Sequence, residues 1–365
     1  MTDRLATLMH GEVEALDIPA PPATEILGAG RRLHRRRVWT QRGAAAAGLA
    51  LAAVTAGAVA LSGGQSTGAG PATGKPPHVI AYAVDDTVYI SDGTGATAVT
   101  MPEVAQTLYY TSAGVLVRTN KDGSSDGGAP SHFELVKPGG TAAKLALTLG
   151  DVVPSTDPSL PYLAYAAKGG GPLFQAVVHD ISTDRTEAAI DIAGKFTWGG
   201  WEAPPVSLSG ADVYVGTDDK TEVIDWQTGQ TTTSDVVPGS ALPDVEGGRL
   251  LRAGTGSTDV VDAQSGRVLL AISGAKEDGA DLSPDGRFAI VRAGDGSVIY
   301  NVDTGAKVHV PSSDWGWSSD SEDVFRVDGS TMTTCSTSTG QCQDTSVPSV
   351  GKGAFVRYAG VTFES

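Results

Sequence analysis

The residues able to do chemistry are few. Cys335 and Cys342 are the only thiols, seven positions apart in the stretch CSTSTGQC. Two thiols are too few donors for a zinc site. Four histidines lie beyond residue 63, His78, His132, His179 and His309, and none sits in a motif with a nucleophile. The pattern HExxH and a phosphate loop are absent. No catalytic residue, cofactor or metal is therefore assigned. Acidic side chains group at Asp122 and Asp126, at Asp218 and Asp219, and at Asp320, Glu322 and Asp323. Calcium favours such oxygens, but no group matches an EF-hand loop, so solvated turns are expected. Tryptophans pair as Trp198 with Trp201 and as Trp315 with Trp317. An aromatic ahead of a Ser-x-Asp turn packs between sheets, so Trp317 is expected in the core. Trp198 and Trp201, in a glycine-flanked loop, are candidates to touch a sugar or a peptide. The stretch 119–132, TNKDGSSDGGAPSH, is read as the longest loop between strands, and it makes Asp122 and Asp126 further candidate contacts.

What must position these residues is a repeat. In VVDAQSGRVLL, residues 260–270, an apolar run ends in Asp262, crosses to Gly266 and resumes as a second apolar run. Equivalent markers fall at Gly95, Gly140, Asp184, Gly229, Gly266, Gly305 and Gly340, at steps of 45, 44, 45, 37, 39 and 35 residues. Four positions earlier stand Ser91, Asp180, Asp225, Asp262, Asn301 and Ser336, with Val136 as the exception. A short polar side chain there can accept hydrogen bonds from the turn backbone. The marker wants a positive φ, which Gly supplies and Asp tolerates. Each copy thus predicts a tight hairpin. The segment LSPDGRFAIVRAGDGSVIYNVDTG, residues 282–305, reads as alternating strands and turns, and its opening recurs near Val206 and Trp317. Seven copies at this period predict an all-β, seven-bladed propeller of four-stranded antiparallel blades. The cysteines would then face each other across the last hairpin, as a disulfide or as two free thiols.

The elements SPDGRFAIV and D-x-x-T-G resemble those of TolB-type and YVTN-type propellers, loosely called WD40-like. The resemblance covers roughly residues 78–350, and it implies a bacterial propeller with no fixed activity. The Gly-His and Trp-Asp marks of WD40 repeats are missing. Blade 1 lacks an innermost strand before HVIAYAV, and the C-terminal GAFVRYAGVTF, residues 353–363, is expected to supply it.

The first 77 residues read differently. Six arginines, Arg31, Arg32, Arg35, Arg36, Arg37 and Arg42, precede an uncharged apolar stretch. About 20 helical residues span a bilayer core. Residues 43–62 are therefore read as a transmembrane helix, or as a signal segment cut near Ala60 after AVA. RRRVW, Arg35 to Trp39, also resembles a degenerate twin-arginine signal, with His34 in place of the usual Ser or Thr. The arginines keep 1–42 cytoplasmic as a short tail with a basic border. Within that tail Leu5, Leu8, Met9 and Leu16 fall at helical spacing. Residues 63–77 form a Gly/Ser/Pro linker, and 78–365 are the propeller, outside the cell membrane or secreted if the leader is cut.

The chain of 365 residues carries a net charge of −16, and residues 1–63, with seven Arg against five acidic groups, hold none of that excess. A propeller this acidic is not a nucleic-acid binder. The expected function is recognition of a protein, peptide or cell-envelope glycan at one propeller face, with residues 1–30 free for a cytoplasmic partner. Two alternatives stand beside it. The layout resembles that of membrane-bound anti-sigma factors, although their His and Cys zinc motif is absent from residues 1–42. An exported hydrolase or lyase is the other, since distant residues can converge at a propeller channel.

Overall fold

Short β-branched runs punctuated by glycine favour strands that end at defined points, and such strands make up every sheet of this protein. The computed structural model describes residues 76–360, apart from 93–94, 125–129, 171–172, 199, 240, 255, 276–278 and 352–353. The expected tail 1–42 and apolar span 43–62 lie outside the described residues, as does the linker 63–77 save its last two residues. Among the described residues no helix is long and apolar enough to cross a membrane.

The strands follow one another blade by blade. Blade 1 contains β1 (Ile80–Val84), β2 (Thr87–Ser91) and β3 (Ala96–Thr100). Blade 2 contains β4 (Val104–Thr111), β5 (Gly114–Asn120), β6 (Ser131–Val136) and β7 (Ala142–Leu149). Blade 3 contains β8 (Ser155–Thr156), β9 (Tyr162–Lys168), β10 (Phe174–Asp180) and β11 (Arg185–Ile192). Blade 4 contains β12 (Val206–Ser209), β13 (Asp212–Gly216), β14 (Thr221–Asp225) and β15 (Gln230–Thr233). Blade 5 contains β16 (Arg249–Ala253), β17 (Ser257–Asp262) and β18 (Val268–Ser273). Blade 6 contains β19 (Ala280–Leu282), β20 (Phe288–Ala293), β21 (Gly296–Asn301) and β22 (Lys307–Pro311). Blade 7 contains β23 (Gly316–Trp317), β24 (Asp323–Asp328), β25 (Thr331–Ser336) and β26 (Cys342–Ser346). The last strand, β27 (Val356–Tyr358), returns to blade 1 and pairs antiparallel with β1, Ala83 opposite Arg357. The protein is thus a seven-bladed, all-antiparallel propeller. Its ring is closed by strands from both ends of the propeller sequence, as the missing inner strand of blade 1 predicts. Closure leaves β1 with no unpaired edge.

Blade 5 departs from the expected four strands. Residues 242–246 occupy the innermost position but make a single bridge, Glu246 to Arg249. Pro243 carries no N–H to donate, and Gly247 and Gly248, both at positive φ, turn the chain immediately afterwards. The backbone of this segment is satisfied from next door: Ser207 Oγ of blade 4 donates to Val245 O at 2.8 Å and accepts from Val245 N at 3.2 Å.

No blade can hide both apolar faces alone, so the core lies between blades. One cluster joins blades 1 and 2 through Val88, Leu108 and Val117, and another runs through blades 2, 3 and 4. Tyr214 and Val261 join blades 4 and 5, and Val260 and Ala289 join blades 5 and 6. Ile299 meets Trp317 between blades 6 and 7, and Phe325 meets Tyr82 between blades 7 and 1. Trp317 is buried there, as expected.

The repeat turns have the anticipated chemistry. Asp262 Oδ1 accepts from Ser265 N and Oγ, Asn301 Oδ1 from Thr304 N, and Asp225 Oδ1 from Thr228 N. Gly266 sits at φ +68° and donates its N–H to Asp262 O. Asp184 takes φ +55° in the same role. Gly140, in the poorer copy after Val136, closes a shorter turn onto Lys137 O. The turn before Gly95 includes residues 93–94, outside the described residues. Cys335 and Cys342 are paired across the β25–β26 hairpin and form a disulfide.

Antiparallel order gives the ring two unlike faces. One holds the turns between first and second strands and between third and fourth strands, including every repeat marker; it is the turn face. The other holds the loops between second and third strands and the connectors from one blade to the next; it is the connector face.

Candidate functional site

The connector face carries an aromatic row between blades 3 and 4. β11 ends at Ile192, and residues 193–205 cross to β12. This connector brings Phe196, Trp198 and Trp201 over the start of β10. Phe174 meets Phe196 edge-on at 6.1 Å between ring centroids; Phe196 lies 5.2 Å from Trp198, and Trp198 lies 6.0 Å from Trp201. Leu173, just before β10, is 40% exposed beside this row. Phe174, Phe196, Trp198 and Trp201 are all partly exposed.

A carboxylate fixes the connector. Asp218, in the loop between β13 and β14, accepts from Thr197 N at 3.0 Å and from Thr197 Oγ1 at 2.8 Å, while its own N–H donates to Lys195 O. Asp218 was expected to be one of a set of merely solvated acids; it instead holds the loop that presents the rings. At the other end Glu202 N donates to Asp151 O. A tied connector presents its rings with less ordering cost on binding.

The structure brings the two candidate tryptophans together between blades 3 and 4 and places Asp122 in another blade. Asp122 is on the same face, in blade 2, where its Oδ1 accepts from Ser124 N. The loop there curls back: Asn120 Oδ1 accepts from Gly123 N, and Gly123 O accepts from Arg357 Nη2 on β27. Asp126 lies outside the described residues. The connectors 193–205 and 234–248 exceed residues 121–130 between β5 and β6 in length, so the loop read from sequence as longest is not the longest. Its polarity made it conspicuous, whereas the longer connectors carry prolines and apolar residues that resemble strand ends.

The acidic group near the end of the chain also departs from expectation. Asp320 is buried, only 4% exposed, on the turn face. Its Oδ1 lies 3.0 Å from His78 Nδ1, and His78 Nε2 lies 3.7 Å from Asp323 Oδ2. Ser319 Oγ donates to Pro77 O and accepts from Val79 N. These acids tie the incoming chain to blade 7, a role invisible until the ring brings residues 78 and 320 together. Burial pushes the Asp320 carboxyl up, but hydrogen bonds from His78 and Ser318 and the charge of His78 outweigh it, and the group is held at about 2. Burial raises Asp323.

The other histidines sit apart. His179 Nε2 lies 3.0 Å from Asp184 Oδ1 in blade 3, His132 Nδ1 lies 3.4 Å from Thr148 Oγ1 in blade 2, and His309 is exposed on the outer strand of blade 6. Along the ring axis, Tyr110, Thr156, Glu246, Pro284 and Gly360 line a cavity of about 30 Å³. A space of that size holds a water molecule or so.

Solved structures similar to this chain include TolB from Acinetobacter baumannii, at 13% identity over 78% of this chain and 67% of that one, with a TM-score of 0.41. AztD from Citrobacter koseri is similar at 11% identity over 77% of this chain and 96% of that one, with a TM-score of 0.47. No family model matches the chain, and no curated protein matches it. The propeller architecture rests on the strand order itself.

Proposed function

We propose that this protein is a membrane-anchored, extracytoplasmic recognition module that binds a protein, peptide or cell-envelope glycan with its connector face. The carrying observation is the partly exposed row Phe174–Phe196–Trp198–Trp201, held by Asp218. Partly exposed aromatics on a pinned loop have the composition of interaction hot spots.

The test is affinity capture with the full chain in native membranes, comparing wild type with Trp198→Ala/Trp201→Ala. The double variant is expected to lose the captured ligand with its far-ultraviolet circular dichroism unchanged. Equal capture by both proteins overturns the choice of site. A reporter fused after residue 365 is expected to be active only outside the cytoplasm; cytoplasmic activity overturns the topology.

A further inference from the structure

The aromatic row differs in charge from one end to the other. The connector 193–205 holds one basic and one acidic residue. Lys195 precedes Phe196 at the outer end, and Glu202 follows Trp201 at the inner end, toward β12. Glu202 is exposed, and among the described residues its side chain has no hydrogen-bond or ion-pair partner. It is nevertheless placed. Its N–H donates to Asp151 O at 2.7 Å, and its carboxylate lies over Gly150, where an added Cβ would come within 2.7 Å of Oε2. Arg118 donates to the Gly150 and Val152 carbonyl oxygens and not to this carboxylate.

The acids nearer the outer end are committed. Asp218 holds Thr197, and Asp191 Oδ1 accepts from Gln175 Nε2 at 2.8 Å. Trp198 is tilted 46° to Phe196 and 50° to Trp201, so the rings form no flat platform. A pyranose stacks on a flat face and hydrogen-bonds several amides and carboxylates at its rim; this rim offers one free carboxylate. A cation makes a different demand. It is attracted to the negative face of an aromatic ring within about 6 Å of the centroid. Two faces inclined at 50° can approach one cation together, and a free carboxylate beside them supplies its counter-charge.

We propose that the inner end of the row receives a basic side chain, lysine or arginine, of a peptide, with the cation on the Trp198 and Trp201 faces and Glu202 as its counter-ion. The net charge of −16 attracts such a ligand at long range, and residues 1–63 hold none of that excess. Lys195 repels a cation at the outer end, which confines the basic side chain to the Glu202 end. The apolar stretch Leu173–Phe174 then faces the uncharged part of the same peptide.

The inference rests on the proposed use of the row as a recognition site, and the two fail separately. The probes are a fluorescein-labelled pentapeptide with two arginines, its uncharged isostere with two citrullines, and unlabelled chitotetraose. They are titrated with the full chain in detergent at about 0.15 M salt, which screens distant charges, and followed by anisotropy. The arginine peptide is expected to bind about tenfold tighter than the citrulline peptide. Trp198→Ala/Trp201→Ala is expected to weaken it about tenfold and Glu202→Gln about threefold. Asp328→Asn removes the same charge from an 84% exposed site in blade 7 and is expected to bind as wild type does. If the tryptophan double variant melts early, Glu202→Gln against Asp328→Asn carries the test. Equal affinity for the two peptides overturns the inference, as does equal weakening by Glu202→Gln and Asp328→Asn. Displacement of the peptide by chitotetraose overturns the peptide in favour of a glycan. If the membrane capture is lost with the tryptophans while the arginine peptide fails to bind, the recognition site stands and the basic ligand falls.

Discussion

His78 Nδ1 lies 3.0 Å from Asp320 Oδ1, across 242 residues of sequence. The contact joins the incoming chain to blade 7 and makes the fold sensitive to acid. The Asp320 carboxyl titrates at about 2, below its ordinary 3.8. A depressed carboxylate stabilises the fold above its unfolded value, and that stability is lost as pH falls through the folded value. The window therefore runs from about pH 4 down to about pH 2, and the stake is on the order of 2 kcal/mol. Asp323, whose carboxyl is raised, works in the opposite sense and softens the loss. His78→Ala is expected to lower stability near neutrality and flatten this acid limb. Thermal unfolding from pH 2 to 6 checks it; an unchanged limb refutes the link.

Two buried phenols give a contrast. Tyr110 Oη donates to Trp317 O at 2.8 Å and accepts from Ala81 N at 3.0 Å, so one hydroxyl joins blades 2, 7 and 1. Tyr82 Oη is buried with no hydrogen-bond partner, its ring stacked on Tyr89. Tyr110→Phe strands two buried groups and is expected to cost about 2–4 kcal/mol, whereas Tyr82→Phe removes an unsatisfied group and is expected to be neutral or stabilising. Denaturant unfolding of both variants decides. Equal effects would mean that the hydroxyl network does not hold the closure.

The repeat-turn glycines separate strain from crowding. At Gly229, φ +75°, an added Cβ meets nothing within 4 Å. At Gly340, φ +70°, it would lie 2.9 Å from His309 O and 3.2 Å from Val308 Cβ. Gly229→Ala is expected to cost about 1–2 kcal/mol from backbone strain alone, and Gly340→Ala measurably more. A smaller loss at Gly340 would show that blade 6 yields to the methyl group.

The turns were legible because their chemistry is local: Asp262, Ser265 and Gly266 settle their own geometry within five residues. Six local signals of that kind, with the poorer copy at Gly140, determine blade number, and the missing strand before Val79 foretold β27. Long-range pairings left no such trace. Neither Asp218 nor Asp320 differs in sequence from a solvated turn acid; only Thr197 and His78, brought near by the ring, give them work. Phe174 and Phe196 carry no local signal, because isolated phenylalanines in a strand-rich sequence read as core. The inner segment of blade 5 was misjudged since its partner is a side chain, Ser207, and not a strand.

The disulfide offers the last contrast, between local and global stability. Cys335 and Cys342 close a loop of eight residues within one hairpin, in the outer half of blade 7. So small a loop constrains the unfolded chain by at most about 2.5 kcal/mol. The closing strand β27 constrains far more, since without it β1 loses its inner partner and Phe325 loses its edge contact with Tyr358. Cys335→Ser/Cys342→Ser is expected to lower the unfolding midpoint modestly and keep one cooperative transition, because Cys335 and Cys342 remain opposed in the hairpin ladder. A stop codon after residue 354 is expected to abolish the cooperative transition or to drive association through the bare edge of β1. Denaturation followed by circular dichroism, with light scattering for association, separates the two. A truncated chain that unfolds cooperatively as a monomer would show that seven blades close without the C-terminal strand.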